Sequence, residues 1–178
     1  MKPEPMLSAW PQRLLSELEN ADDRAERLAR GLTREQFNWN SRPGAWSIGQ
    51  CLEHLRIGNE IYLPAISNSL EGKQPSPVQE LVLSRISRWF IHYIGPAVGT
   101  RANAPSQARP AEVVETSVLD GFLQTNRMAR ELIRRASSYD VNRIRFRNPF
   151  VPLLRFTVGT GLEIIAKHED RHLLQAKG

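Results

Sequence analysis

The chain has 178 residues, a formal net charge of +5 and a sequence pI near 9.9. That length suits one domain, read as residues 1–178, with a core large enough to need no covalent staple. The single cysteine, Cys51, excludes an intramolecular disulfide. Residues 1–10 carry no secretory pattern and no apolar run is long enough to span a bilayer, so a cytoplasmic chain with no membrane partner is expected.

Arginine supplies most of the basic excess, through Arg127, Arg130, Arg134, Arg135, Arg143, Arg145, Arg147 and Arg155. No aromatic-interleaved basic motif accompanies them. They read as solvated helix faces, and no nucleic-acid partner is expected.

In chain order, the first long helix is expected from Ser8 to Ala29. Trp10, Leu14, Leu18, Ala21, Ala25 and Leu28 form one apolar stripe at three- and four-residue steps. Gly31 ends it, and Thr33 caps a short turn through Phe37. A second helix begins at Ser47, with Gln50 in the third position of a capping box, after a Pro43-Gly44 turn. It carries two adjacent stripes. One is Ile48, Leu52, Leu55, Tyr62 and Ile66; the other is Cys51, His54, Gly58, Ile61 and Ala65. Pro64 is placed to kink its last turns.

Residues 78–93 read as a further helical stretch, and 95–110, rich in Pro, Gly and Ala, as an exposed loop longer than usual. The next long helix is expected from Ala111 to Ser137, with Val114, Val118, Phe122, Ala129, Leu132 and Ala136 inward. Residues 141–150 alternate, with Val141, Arg143, Arg145 and Arg147 on one side and Ile144 and Phe146 on the other, which predicts an extended arm. The last helix runs from near Thr157 to Gln175, its inward stripe holding Gly161, Ile164, Ile165, His168, His172 and Gln175. The helix starts echo one another, Ser47-Ile48-Gly49-x-x-Leu52-Glu53 and Thr157-Val158-Gly159-x-x-Leu162-Glu163. Shared capping chemistry would produce the same echo as a duplication. The fold class expected is all-α, a four-helix bundle with a short extra helix and an extended arm before the last helix.

The chemistry concentrates in three histidines. His168 and His172 are four apart on one helix face, and His54 sits on an inward stripe of another helix. Such a set can hold one divalent metal and leave coordination positions open, as catalytic sites do. Each imidazole also suits a half-buried core position with one satisfied hydrogen bond. Gly58 and Gly161, one or two turns away, would leave space. Gln175, one turn beyond His172, is the candidate for touching a metal-bound water or a substrate. Glu53 and Glu169 neighbour ligands in sequence and read either as groups orienting an imidazole or as surface charges. His92 and Cys51 read as packing residues, and Trp39 and Trp46 as walls at one end of the bundle.

Trp46-Ser47-Ile48-Gly49-Gln50-Cys51-Leu52-Glu53-His54-Leu55 resembles the second-helix motif of the DinB/YfiT-like superfamily. His168-Glu169-Asp170-Arg171-His172-Leu173-Leu174-Gln175 resembles its fourth-helix motif. The order of elements matches over nearly the whole chain, whereas the Pro- and Ala-rich loop and the Arg-rich arm are less typical. The resemblance implies a DinB-like four-helix bundle and a divalent metal, zinc or nickel, held by His54, His168 and His172. It also implies thiol-dependent transfer, with a low-molecular-weight thiol as co-substrate, or metal-dependent hydrolysis of a small-molecule substrate. The alternative is a non-catalytic metal-binding or dimerising helical bundle. A homodimer is expected, with the 78–93 helix and its Trp89 and Phe90 as the interaction surface.

Overall fold

The computed structural model describes residues 7–96 and 104–177. Its elements are α1 (Ala9–Ala29), the single turn α2 (Arg34–Phe37), α3 (Ile48–Ser69), α4 (Arg85–Ile94), α5 (Val118–Ala136), the strands β1 (Arg145–Arg147) and β2 (Arg155–Thr157), and α6 (Val158–Ala176). A 3-10 turn, Ser106–Ala108, precedes α5. The helical class and the four long helices agree with the sequence reading. Around the bundle the order is α1, α5, α3, α6, because α3 packs on α5 and α6, and α1 packs on the same two.

Two buried apolar clusters divide the bundle along its length. One gathers Trp10 to Leu18 of α1, Tyr62 to Ile66 of α3, Ala129 to Ala136 of α5 and Val158 to Ala166 of α6. The other gathers Ala21 to Ala29, Leu52 and Leu55, Phe122, and Leu173 with Phe37 and Val114. Hence α1 and α6 run from the first cluster to the second, and α3 and α5 run the other way. The parallel pair α1 and α6 is laced by ion pairs, Arg13 with Glu163, Glu17 with Lys167 and Arg24 with Asp170.

Three expectations are corrected. The helix expected from residue 78 starts only at Arg85, where the Ser84 hydroxyl accepts the Ser87 N–H at 3.1 Å. Upstream, the backbone bonds to other elements instead of to itself. The Val78 carbonyl accepts from the Trp10 indole at 3.1 Å, and Asn142 bonds both the Val82 N–H and the Glu80 carbonyl at 2.9 Å. The helix expected from Ala111 starts at Val118. Asn38 brackets Val114, accepting its N–H and donating to its carbonyl at 2.8 Å, and Gln50 donates to the Ala111 carbonyl at 3.1 Å, which holds 111–117 out of helix.

The extended arm is the third correction, since it folds back as a hairpin. β1 and β2 pair antiparallel with Phe146 opposite Phe156, both buried. Asn148 makes the return, its side-chain oxygen accepting from the N–H groups of Phe150 and Val151. Val141, assigned to the arginine side, is buried because the chain turns at 141–143 before alternation begins. Of the loop expected over 95–110, residues 97–103 lie outside the described residues.

Candidate metal centre

α3 starts in a complete capping box. The Ser47 hydroxyl accepts the Gln50 N–H and the Gln50 side chain accepts the Ser47 N–H, each at 3.1 Å. Two turns later the helix presents His54. α6 starts directly from β2, with the Thr157 hydroxyl accepting the Thr160 N–H at 3.2 Å. Three turns on it presents His168 and His172.

The three rings meet. Their centroids lie 4.9 Å (His54–His168), 4.6 Å (His54–His172) and 4.6 Å (His168–His172) apart, with ring planes near-perpendicular. One nitrogen from each falls within 4.8 Å of the others, and the Nε2 atoms of His54 and His168 are 3.1 Å apart. Two nitrogens bound to one tetrahedral zinc at ~2.0–2.1 Å would lie about 3.3 Å apart. The donor set therefore fits a divalent ion.

Two contacts orient the rings. The Ala108 carbonyl, in the 3-10 turn, lies 2.6 Å from His54 Nδ1, and Gln175 Oε1 lies 3.0 Å from His172 Nδ1. Both acceptors place the proton on Nδ1 and leave a lone pair on Nε2. Burial holds all three imidazoles below the ordinary histidine range, His172 down to about 3. For His168 both neighbouring imidazoles add to the effect, for His172 that of His54 does, and the Arg171 charge adds to it for all three. Neutral, unprotonated nitrogens are what a metal requires.

The cluster lies in the wall of a cavity of about 860 Å³. Trp46 closes one side, its ring 4.8 Å from His54 and 5.6 Å from His172. Tyr62, Phe90, Ile94, Phe150 and Ile164 supply apolar wall; Asn59, Asn148, Arg171 and Gln175 supply polar groups. Arg171 donates to the Tyr93 carbonyl at 3.0 Å, tying α6 to the end of α4.

Of the other residues singled out in the sequence, Gln175 is exposed where it holds His172. Glu53 pairs with Arg56. Glu169 is no surface charge. It is fully buried and accepts from Asn59 (2.9 Å) and Asn126 (3.1 Å), while Asn126 also donates to Asp22 at 2.8 Å. Cys51 is buried, with its thiol pushed up to about 12 by desolvation. His92 and Trp39 are exposed, and neither lines the cavity. The space at Gly161 is taken by Phe146 and Ile66, whereas a side chain at Gly58 would meet only His168 Cε1, at 3.8 Å.

The Asn59–Asn126–Glu169 layer and the Ala108 carbonyl were not anticipated. Asn59 fills the gap in the stripe Leu55, Tyr62, Ile66, and a polar residue at a core position was its signal. A backbone carbonyl leaves no such trace. Residues 17–176 match the family model of the DinB superfamily. No curated protein and no solved structure matches the chain.

Proposed function

The chain belongs to the DinB superfamily, and from that membership and the site geometry we propose that it is a metal-dependent enzyme acting on a small molecule, as a hydrolase or a thiol-dependent S-transferase. The observation that carries this is the meeting of His54, His168 and His172, from two helices, in the wall of a cavity large enough for a small substrate. We assign zinc or nickel to the site. When bound, the ion would lower the pKa of a bound water or thiol toward or below neutrality.

The chain's own groups have separable parts in this reading. Ala108 and Gln175 fix the two imidazole tautomers. Trp46 and the apolar wall exclude water from one side of the histidines. Arg171 places a fixed positive charge in the lining, which favours an anionic substrate or a thiolate co-substrate. Among the described residues no helix is long and apolar enough to cross a membrane, and we take the setting to be cytoplasmic, where low-molecular-weight thiols are reduced.

The test is elemental analysis of untagged protein purified without chelator, beside the His54→Ala, His168→Ala double variant. About one zinc or nickel per chain, lost in the variant, is the expected result. Equal and negligible metal in both, after incubation with each ion, would sink the reading.

A second reading, a dimerising bundle without catalysis, is favoured by one observation. Ile86, Trp89 and Tyr93 stand exposed along one face of α4, with the rings of Trp89 and Tyr93 stacked at 5.8 Å. Phe90, expected to share that surface, packs inward on Phe156 at 5.0 Å. Light scattering of the native chain and Trp89→Glu tests it. A wild-type mass of one chain at all concentrations would remove the dimer.

A further inference from the structure

Positive charge is gathered on one part of this molecule. Residues 84–94 and 141–162 hold six arginines and no aspartate or glutamate, which more than accounts for the formal total of +5. The fold brings the two stretches together, since Phe90 of α4 packs on Phe156 of β2 at 5.0 Å. In the hairpin the arginines share a face. Phe146 and Phe156 turn inward, so Arg145, Arg147 and Arg155 turn outward and are exposed, with Arg147 directly opposite Arg155. Arg143, at the foot of the hairpin, pairs with Asp140 at 3.5 Å, whereas those three form no ion pair among the described residues. Like charges directly opposite weaken a strand pair. Fold stability therefore does not explain their placement.

The tip of the same hairpin is apolar and bare. Val151, Pro152 and Leu153 are exposed one after another, Leu153 to 96%. Such a run in water is unusual unless something covers it. The tip is also shaped. Asn148 accepts the N–H groups of Phe150 and Val151, and the Leu154 N–H donates to the Val151 carbonyl at 2.8 Å. Leu153 is two residues from Arg155, so at most about 7 Å of backbone separates them. Apolar groups of surface-bound proteins sink ~5–10 Å into the boundary between headgroups and acyl chains. A basic collar that close behind an apolar tip matches phosphates above and acyl chains below.

We propose that this hairpin docks the protein on an anionic phospholipid surface, with Arg145, Arg147 and Arg155 on headgroup phosphates and Val151, Pro152 and Leu153 in the interface. The expectation of no membrane partner came from the lack of a spanning segment, and surface docking needs none. Two other occupants fit less well. RNA would leave the aliphatic tip in water, and the hairpin offers no outward ring for base stacking: Phe146 and Phe156 are buried and Phe150 stacks on Tyr62. A second copy, joined by a two-fold axis, would set these arginines against themselves. Phe150 and Val151 also line the cavity, so docking holds part of its rim against lipid.

The test is co-sedimentation of the full-length protein with vesicles of phosphatidylcholine alone, and of equal parts phosphatidylcholine and phosphatidylglycerol. The wild type should bind the mixed vesicles only, and less as salt is raised. The triple variant Arg145→Gln, Arg147→Gln, Arg155→Gln should lose at least tenfold in partitioning. It should melt no lower than wild type, because opposed like charges are removed. A control with the same charge change at the other end of the bundle, Arg27→Gln, Arg30→Gln, Arg34→Gln, should lose far less. Leu153→Ser, with charge unchanged, should lose about fivefold. Equal losses in the two triple variants, an unaffected Leu153→Ser, or wild type that treats the two vesicles alike would overturn the proposal. So would retention of single-stranded RNA through the hairpin arginines by a protein that leaves vesicles unbound.

Discussion

His172 shows how one side chain is prepared for its task. Its Nδ1–H donates to Gln175 Oε1, its ring faces Trp46, and its neighbours are two more imidazoles and the Arg171 charge. Burial penalises its imidazolium most, His54 and the Arg171 charge add to that penalty, and the Gln175 contact opposes it. The consequence for stability has a definite sign. The unfolded chain binds protons at ordinary histidine values near 6.5, while folded His54 and His168 titrate lower and His172 titrates near 3. As pH falls from about 6.5 toward 3, the unfolded state takes up protons that the native state refuses, so stability is lost across that window. Chelator-treated His54→Gln, His172→Gln protein should lose less stability than wild type between pH 6.5 and 5 in urea titrations. Equal losses would mean that these imidazoles are not held neutral. The histidines themselves were legible in the sequence, since i, i+4 spacing and two inward stripes place them together. Their orienting partners were not. The Ala108 carbonyl comes from a loop whose approach to α3 depends on tertiary contacts with Gln50 and Asn38.

Among the elements, the glycines separate crowding from open space. A Cβ at Gly161 would stand 2.7 Å from the Phe146 ring and 2.8 Å from Ile66 Cδ1, so the hairpin docks on α6 only because that position is bare. At Gly58 the nearest atom is 3.8 Å away. Gly161→Ala should therefore cost roughly 1–3 kcal/mol through overpacking. Gly58→Ala should be neutral or stabilise by up to about 1 kcal/mol, the helix-propensity gain. Urea midpoints of the two variants check this, and the same sign in both would show that the α6–hairpin contact is looser than described. The echo between the starts of α3 and α6 has a physical counterpart here. Each begins with a hydroxyl cap, and each presses its Gly at the second helical position against a neighbour, Phe37 at Gly49 and Leu81 at Gly159. Periodicity found the four long helices because each buries one stripe. It overextended α4 and α5 at their starts because Asn142, Asn38 and Gln50 claim the backbone groups that a helix would have used. It left the hairpin as an arm because strand pairing between residues 145–147 and 155–157 depends on the turn that Asn148 makes.

At the scale of the molecule, the two apolar clusters are parted by a polar layer with one contribution from each long helix: Asp22, Asn59, Asn126 and Glu169. Arg130 closes it by pairing with Asp22. Registers one turn higher or lower would put these groups into the apolar clusters, so the layer sets how the four helices slide against one another. Its central member is a carboxyl group taken fully out of water. Desolvation raises Glu169 to about 8, the Asn59 and Asn126 amides oppose the rise, Asp22 adds to it, and Arg130 opposes it. The native state thus holds a proton that the unfolded chain releases near 4.5. Stability from this group is whole below that value and is lost as pH climbs through about 8, opposite in sense to the histidines. At pH 6.5 each unfolded histidine is still about half protonated, so the three histidines regain on the order of 1 kcal/mol of stability as pH rises to 8 and oppose the Glu169 effect. Between pH 6.5 and 8 metal-free wild type should therefore lose on the order of 1–2 kcal/mol relative to Glu169→Gln, in which the same histidines titrate. Glu169→Gln keeps the shape, cannot ionise, and should rise in stability over that range through the histidines alone. A wild-type curve parallel to the variant's would show that Glu169 is already ionised at pH 6.5, with the asparagine amides and Arg130 outweighing its burial.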